Sequence, residues 1–507
     1  MSQTVRSTES LWELPNSQVG HPLAGNISCD ACVVGAGIAG LTTAYLLCRE
    51  GKRVVVLDSK PQVVRGESRF TTAHLSWVLD DRFEHVEAVR GAEGAKDAAA
   101  SHRGAIDLIE EIATREQIAC DFHRVPGYLF SGRDGTNAID GEEKALRRLG
   151  LPFERVDRVP FASGPAMRFP DQGQFHPVKY LTGLAACIER LSGTIHTDTQ
   201  VVEVRGGSPC EVATKSGHRV SCRSVVIATN NPFEAGTTLH TKVAAYLTYA
   251  IAAELPRGTL PLALYWDTED PYHYVRLQPG EASDSFDYLI VGGEDHKTGQ
   301  AEDTDQRWGR LTTWMKERFP NVGVVRHRWS GQVFETPDGL GLIGMAPGNG
   351  DNVFIITGDS GMGMTHGTLG ARLVADLVQQ RSNPYAGLYS PSRWMPAAAR
   401  TLLGEVLNMA SQYTDWLTGG DVGSADDIPR GHGAIVRSGL TKLALYKNDA
   451  GQVTRLSAVC PHMGCIVRWN PGERTWDCPC HGSRFSCEGK VSHGPATANL
   501  KAAEPTP

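Results

Sequence analysis

The apolar positions of this chain fall into short blocks whose spacing changes along its length. Residues 30–34, DACVV, and 53–57, RVVVL, are nearly continuous apolar runs of strand length. They read as strands covered on both faces, where no polar alternation is needed. Between them GAGIAG at 35–40 leads into the helical run LTTAYLLCREG. VFIIT at 353–357, another glycine turn and a helical run to Val378 repeat that order late in the chain. TIHTDTQVVEV at 194–204 and SVVIATN at 224–230 read as core strands. After a helical stretch at 395–416, residues 418–433 are polar and glycine-rich, and AIVR, KLALYK and VTRLSAVC follow as short alternating strands. The expected division is an N-terminal extension at 1–27, a large α/β unit at 28–405, a linker at 406–425 and a small all-β domain at 426–507.

The first strand, turn and helix carry chemistry. Gly35 permits the tight turn, Gly37 lets the backbone approach a pyrophosphate, and Gly40 lets the helix pack closely on the strand. The helix N-terminus offers free N–H groups and partial positive charge to phosphates. Asp58 follows the second strand, where a carboxylate can accept hydrogen bonds from ribose hydroxyls. The order predicts a dinucleotide site. No second G-x-G-x-x-G occurs mid-chain, as a flavoprotein disulfide reductase would need for NAD(P)H.

At 507 residues the chain exceeds one ordinary core. A net charge of −7 argues against nucleic-acid or anionic-membrane partners, and no apolar run reaches the roughly 18 residues of a membrane span. The N-terminus lacks the pattern of a secretory signal, so a cytoplasmic protein is expected. Of twelve cysteines, seven scatter through 29–222 and five crowd into 460–487. That crowding points to a small cofactor module rather than a disulfide-stapled secreted protein.

The large unit resembles the D-amino-acid oxidase and glycine oxidase superfamily, carried most clearly by VFIITGDSGMGMTHGTLGARLVADLV at 353–378. The resemblance implies a Rossmann-like FAD-binding domain with an α+β substrate domain. It sets the turn of Gly358, Gly361, Gly363 and Met364 against the flavin pyrimidine ring. It makes GESRFTTAHL at 66–75 a flavin-contacting loop with Ser68, Thr71 and Thr72 as donors, and GQFHPVKYLTGLAACIERL at 173–191 the start of the central FAD-binding helix. Val202 would meet the adenine through its backbone; Ser59 and Thr229 join the cofactor-binding candidates. Gly331 stands about where monomeric sarcosine oxidases attach FAD through cysteine, so noncovalent FAD is expected.

CPHMGC at 460–465 and CPCHGS at 478–483 hold six potential metal-binding or disulfide-forming side chains. A structural zinc site usually starts C-x₂₋₄-C and would leave Cys465 and Cys480 without a role. The spacing C-x-H-x₂-C … C-x-C-H-G-S resembles the Rieske [2Fe–2S] fold. It implies Cys460 and Cys478 on one iron, His462 and His481 on the other, and a Cys465–Cys480 disulfide. Two neutral imidazoles raise such a cluster to roughly −150 to +300 mV. Ser483 stands where respiratory Rieske proteins bond a bridging sulfide, and Phe485 where they carry a tyrosine, which implies a lower potential. Cys487 has no assigned role. With WNPGERTWDCPCHGSRF and GHGAIVR, the whole chain resembles bacterial proteins that join a D-amino-acid-oxidase-type FAD domain to a C-terminal Rieske domain.

In amino-acid-oxidising relatives an arginine before T-P-D grips the substrate carboxylate. WSGQVFETPDG at 329–339 places Val333 there, which favours an amine or another uncharged donor. Tyr272, His273, Tyr274 and Arg276 are weak substrate-side candidates, with GGEDHKTG at 292–299 as the neighbouring loop. The expected activity is oxidation of an amine C–N bond by FAD, with electrons leaving singly through the cluster to an external carrier. Reverse flow from a reduced partner, or redox sensing without a small-molecule substrate, remain the alternatives.

Overall fold

The computed structural model describes residues 9–12, 19–132, 137–231, 233, 239–395 and 399–503. Its first layer is a six-stranded sheet in the order Leu342–Met345, Val353–Thr357, Ser224–Asn230, Ala31–Val34, Val54–Leu57 and Thr194–His196. All neighbours run parallel except the Leu342–Met345 edge. The apolar runs DACVV and RVVVL are thus central strands, and the alternation of their side chains divides them between two cores. Val33 and Val56 face helices Ile38–Arg49, Pro177–Arg190 and Gly363–Val378. Cys32, Val34, Val55 and Leu57 face a small sheet containing Val201–Arg205, Cys210–Thr214 and Arg219–Cys222. All seven N-terminal-half cysteines are packing residues of this kind, buried in the cores and outside any disulfide.

The glycine turn is enforced sterically. Gly35 has φ +109°, a region that costs any side chain strain, and a Cβ on Gly40 would overlap the Gly35 carbonyl oxygen. Helix Ile38–Arg49 therefore starts hard against the end of the first strand.

A second, larger antiparallel-rich sheet stands over the C-terminal ends of the parallel strands. Its order begins Val325–Glu335, Ala244–Pro256, Phe286–Lys297, His273–Gln278, Leu264–Asp267. The C-terminal domain pairs His432–Ser438, Thr441–Lys447 and Val453–Ser457 in one antiparallel sheet, and four short strands from Arg468 to His493 in another.

Two expected boundaries change. The N-terminal extension is not merely appended: Trp12 is 1% exposed in the main core and donates from Nε1 to the Thr71 carbonyl at 2.6 Å. The expected linker at 406–425 is largely structured. Helix Ala399–Gln412 and the turn Tyr413–Trp416 lead in, and Tyr413 and Trp416 donate to the Met463 and Gly464 carbonyls. Asp421 then bonds Ile435 in both directions. Its glycine and polar content serves tight packing along the β domain rather than flexibility. Among the described residues no helix is long and apolar enough to cross a membrane.

Trp12→Ala should lower stability by about 3–5 kcal/mol in chemical denaturation, through lost burial and a cavity. Trp12→Phe should cost less, because only the hydrogen bond and part of the ring are lost.

Candidate functional site

Where the two large sheets and the C-terminal domain meet lies a cavity of about 640 Å³. Gly35, Gly37, Asp58 and Ser59 line one end with Thr199–Val201. Asp58 Oδ2 accepts from the Ala36 N–H at 2.6 Å and Oδ1 from the Lys60 N–H at 2.8 Å, so the carboxylate is fixed at the strand end. Burial nevertheless pushes its pKa up. Ser68 Oγ accepts from the Ile38 N–H at 3.0 Å at the helix N-terminus, while Thr71 and Thr72 line the wall beside it. Thr229 also lines the cavity.

Val201 lines the cavity on the strand that carries Val202. Gly40 packs on Gly35, the close approach its place in the motif required, and Gly358, at φ +70°, makes the turn beside Thr336 just outside the cavity lining. Gly361, Gly363 and Met364 do line it, where helix Gly363–Val378 begins with no acid in its first turn. The Asp80 and Asp359 carboxyls lie against this turn, where a Cβ on Gly361 or Gly363 would press on them.

The far end is acidic and aromatic. Tyr272 and Tyr274 line it with ring centroids 5.5 Å apart, joined by Asp80, Asp295 and Val333. Tyr274 Oη lies 2.7 Å from Thr248 Oγ1. Removal from water pushes Asp80 up to about 8, helped by repulsion from Asp81 and Asp295, and pushes Asp295 up to about 7. Arg307, the cation acting on Asp295, is occupied by Asp303 and by the Glu294 and Asp295 carbonyls.

The other two substrate-side candidates are structural. His273 points away, its Nδ1 3.0 Å from Asp267 Oδ2 and its ring stacked on Trp314 at 4.6 Å. Arg276 is fully buried, donating to the Ala73 and Phe175 carbonyls and to Gln278. Both belong to the strand's packing rather than the cavity.

The C-terminal domain presents two matching loops. Gly464 N–H bonds the Cys460 carbonyl and Gly482 N–H bonds the Cys478 carbonyl, each at 3.0 Å, with both glycines at positive φ. Cys460 and Cys478 are buried with hydrogen-bonded thiols, and the His462 and His481 rings lie 5.0 Å apart. Nδ1 of each histidine is buried without a hydrogen-bond partner. Two thiols and two orphaned imidazole nitrogens in one place are a donor set that fits a metal cluster. The sulfurs of Cys465, Cys478 and Cys480 also approach within 4.8 Å, but Cys465 and Cys480 are joined in a disulfide that ties the loops together. Ser483 is fully buried beside Cys460 and accepts from the Ala496 N–H at 3.0 Å. Phe485 is buried opposite Trp476, and the Cys487 thiol donates to Glu488.

Motif reading missed the seam between these sites. Glu67 Oε2 accepts from the Gln332 N–H at 2.8 Å, and Oε1 pairs with His493 Nε2 at 2.7 Å. Burial alone would raise the Glu67 carboxyl, but the His493 pair and the Gln332 bond hold it below its usual range. Gln332 Nε2 donates to the Gly482 carbonyl at 2.7 Å. His240 sets its ring 4.7 Å from His462 and 5.3 Å from His481. Glu67 lies within GESRFTTAHL and Gln332 within WSGQVFETPDG, but neither stretch marked them as seam residues, and His240 and His493 sit in no recognisable motif.

Comparison with known proteins agrees with this geometry. A family model described as FAD dependent oxidoreductase (DAO) matches residues 30–377, and one for the Rieske [2Fe-2S] domain matches residues 420–504. A Bacillus subtilis protein named as a Rieske 2Fe-2S iron-sulfur protein, YhfW, is 30% identical over 504 residues, 97% of each chain. Gamma-glutamylputrescine oxidoreductase of Escherichia coli is 25% identical over 76% of this chain and 92% of its own. The crystal structure of glycine oxidase from Geobacillus kaustophilus shares the fold, with a TM-score of 0.60 at 18% identity over 72% of this chain and 99% of that one. The chain belongs to the DAO family of FAD-dependent oxidoreductases and carries a Rieske [2Fe–2S] domain at its C-terminus.

Proposed function

We propose that the protein oxidises a small cationic amine at its C–N bond and passes the electrons out singly to an external carrier. The observation that carries this reading is the acidic, aromatic end of the cavity with Val333 in place of a carboxylate-gripping arginine. An ammonium group can donate to the Asp80 and Asp295 carboxyls and lie on the faces of Tyr272 and Tyr274, and its attraction grows as those carboxyls ionise above about pH 7. The E. coli relative is named for γ-glutamylputrescine, whose putrescine part is an amine.

FAD supplies two-electron oxidation and the cluster one-electron transfer. The residues proposed to hold FAD noncovalently are Gly35, Gly37, Asp58, Ser59, Ser68, Thr71, Thr72, Thr229, Gly361, Gly363 and Met364, with the strand that carries Val201 and Val202. Cys460, Cys478 and the Nδ1 atoms of His462 and His481 are proposed to hold the cluster. The remaining work is done by the far wall. It orients the amine, and a carboxylate there, Asp80 or Asp295, takes the proton an ammonium must lose before its C–H bond can be broken. Both carboxyls stand near neutrality, where giving and taking a proton are balanced.

Anaerobic mixing with paired substrates tests the reading. A simple primary or secondary amine should bleach the flavin faster than the matching α-amino acid; faster bleaching by the amino acid would overturn it. The carboxylates gain charge as pH rises, so kcat/KM for an amine should rise through about pH 7–8, and Asp80→Asn should flatten that limb. Cys478→Ser should reduce iron content to near zero and abolish turnover with a one-electron acceptor. Stoichiometric zinc in place of iron in the wild type would refute the ligand assignment.

A further inference from the structure

The C-terminal domain does more than lie beside the FAD domain. Its segment Val491–Asn499 lines the same cavity as the dinucleotide motif. At the Asp58 end, Lys60 Nζ donates to the Ser492 carbonyl at 2.7 Å, and Gln200 Nε2 donates to the Thr497 carbonyl at 2.9 Å. Lys60 and Gln200 themselves line the cavity, so both bonds close its rim. At mid-cavity, His493 pairs with cavity-lining Glu67, and a Cβ on Gly494 would press on the Asn231 side chain at 2.8 Å. The back of the same segment is anchored on the cluster loop, where the Ala496 N–H donates to Ser483 Oγ.

We propose that Val491–Asn499 is part of the FAD site, so that FAD binding and docking of the cluster domain are one linked equilibrium. This rests on reading the cavity as the FAD site. A wall shared by two domains is complete only when they are docked. A ligand that binds the completed wall must therefore favour docking, and docking must favour the ligand by the same factor. The segment reaches Ser483 and Gln332 reaches Gly482, so the docked state also fixes both cluster loops relative to the cavity. Glu67 and His493 are the residues to perturb, because the His493 Nε2 to Glu67 Oε1 approach at 2.7 Å joins the two domains at the cavity.

Full-length protein stripped of flavin is titrated with FAD, with affinity read from flavin fluorescence and iron content measured on the same samples. His493→Ala should weaken FAD binding by at least an order of magnitude while iron stays at the wild-type level, and His493→Gln, which can still donate to Glu67, should recover part of the loss. In the wild type, added FAD should slow amide hydrogen exchange across 491–499. Wild-type FAD affinity in His493→Ala, or exchange in 491–499 indifferent to FAD, would overturn the proposal. Should His493→Ala lose iron through misfolding, the wild-type exchange measurement decides alone. Asp58→Ala separates the two levels: it should lose FAD in any case, and if it keeps FAD the cavity assignment itself falls.

Discussion

The Glu67 carboxylate is the joint on which the two halves of the chain depend. It lies partly buried in the seam, where an unpaired charge would be costly. Two partners offset that cost: the Gln332 N–H from the edge strand of the large sheet and the His493 imidazole from the C-terminal domain. Satisfying one carboxylate therefore requires both domains to be in place. Once they are, the Gln332 side chain reaches the Gly482 carbonyl, next to His481, and His240 meets both histidines. Cavity and cluster loops become neighbours through a few short polar contacts.

That arrangement separates the chemical tasks. In the proposed function the glycine turn and Asp58 form the dinucleotide end of the cavity. The second glycine turn points a helix N-terminus into it, and Tyr272, Tyr274, Asp80 and Asp295 line the wall proposed to receive the amine. The cluster loops stay small and rigid, closed by matching glycine turns and one disulfide. Two-electron chemistry and one-electron transfer can then occupy adjoining compartments without sharing side chains.

Much of this was legible in the residues because the features are local. The G-x-G-x-x-G turn is dictated by overlap at Gly40 and positive φ at Gly35, so its pattern survives in the sequence. The cluster loops carry their donors within six residues each. The misses are where long-range packing decides. Strand alternation turns His273 into the core. Arg276 shares a strand with Tyr274, but backbone carbonyls satisfy it inside the core. The polar run taken for a linker is pinned by Asp421, and the apparent extension supplies Trp12 to the core. Glu67, His493, Gln332 and His240 come from four distant places, and only the folded chain joins them.

The central claim is that electrons taken from a substrate in the cavity reach the cluster inside one chain. The direct measurement is electron paramagnetic resonance of protein frozen at intervals after anaerobic mixing with a reducing amine, with no carrier added. The account predicts that the signal of a reduced Rieske cluster grows in at dilute protein concentration, at a rate independent of that concentration. A flavin fully bleached by the amine while the cluster stays oxidised, or a rate that scales with protein concentration, would contradict it.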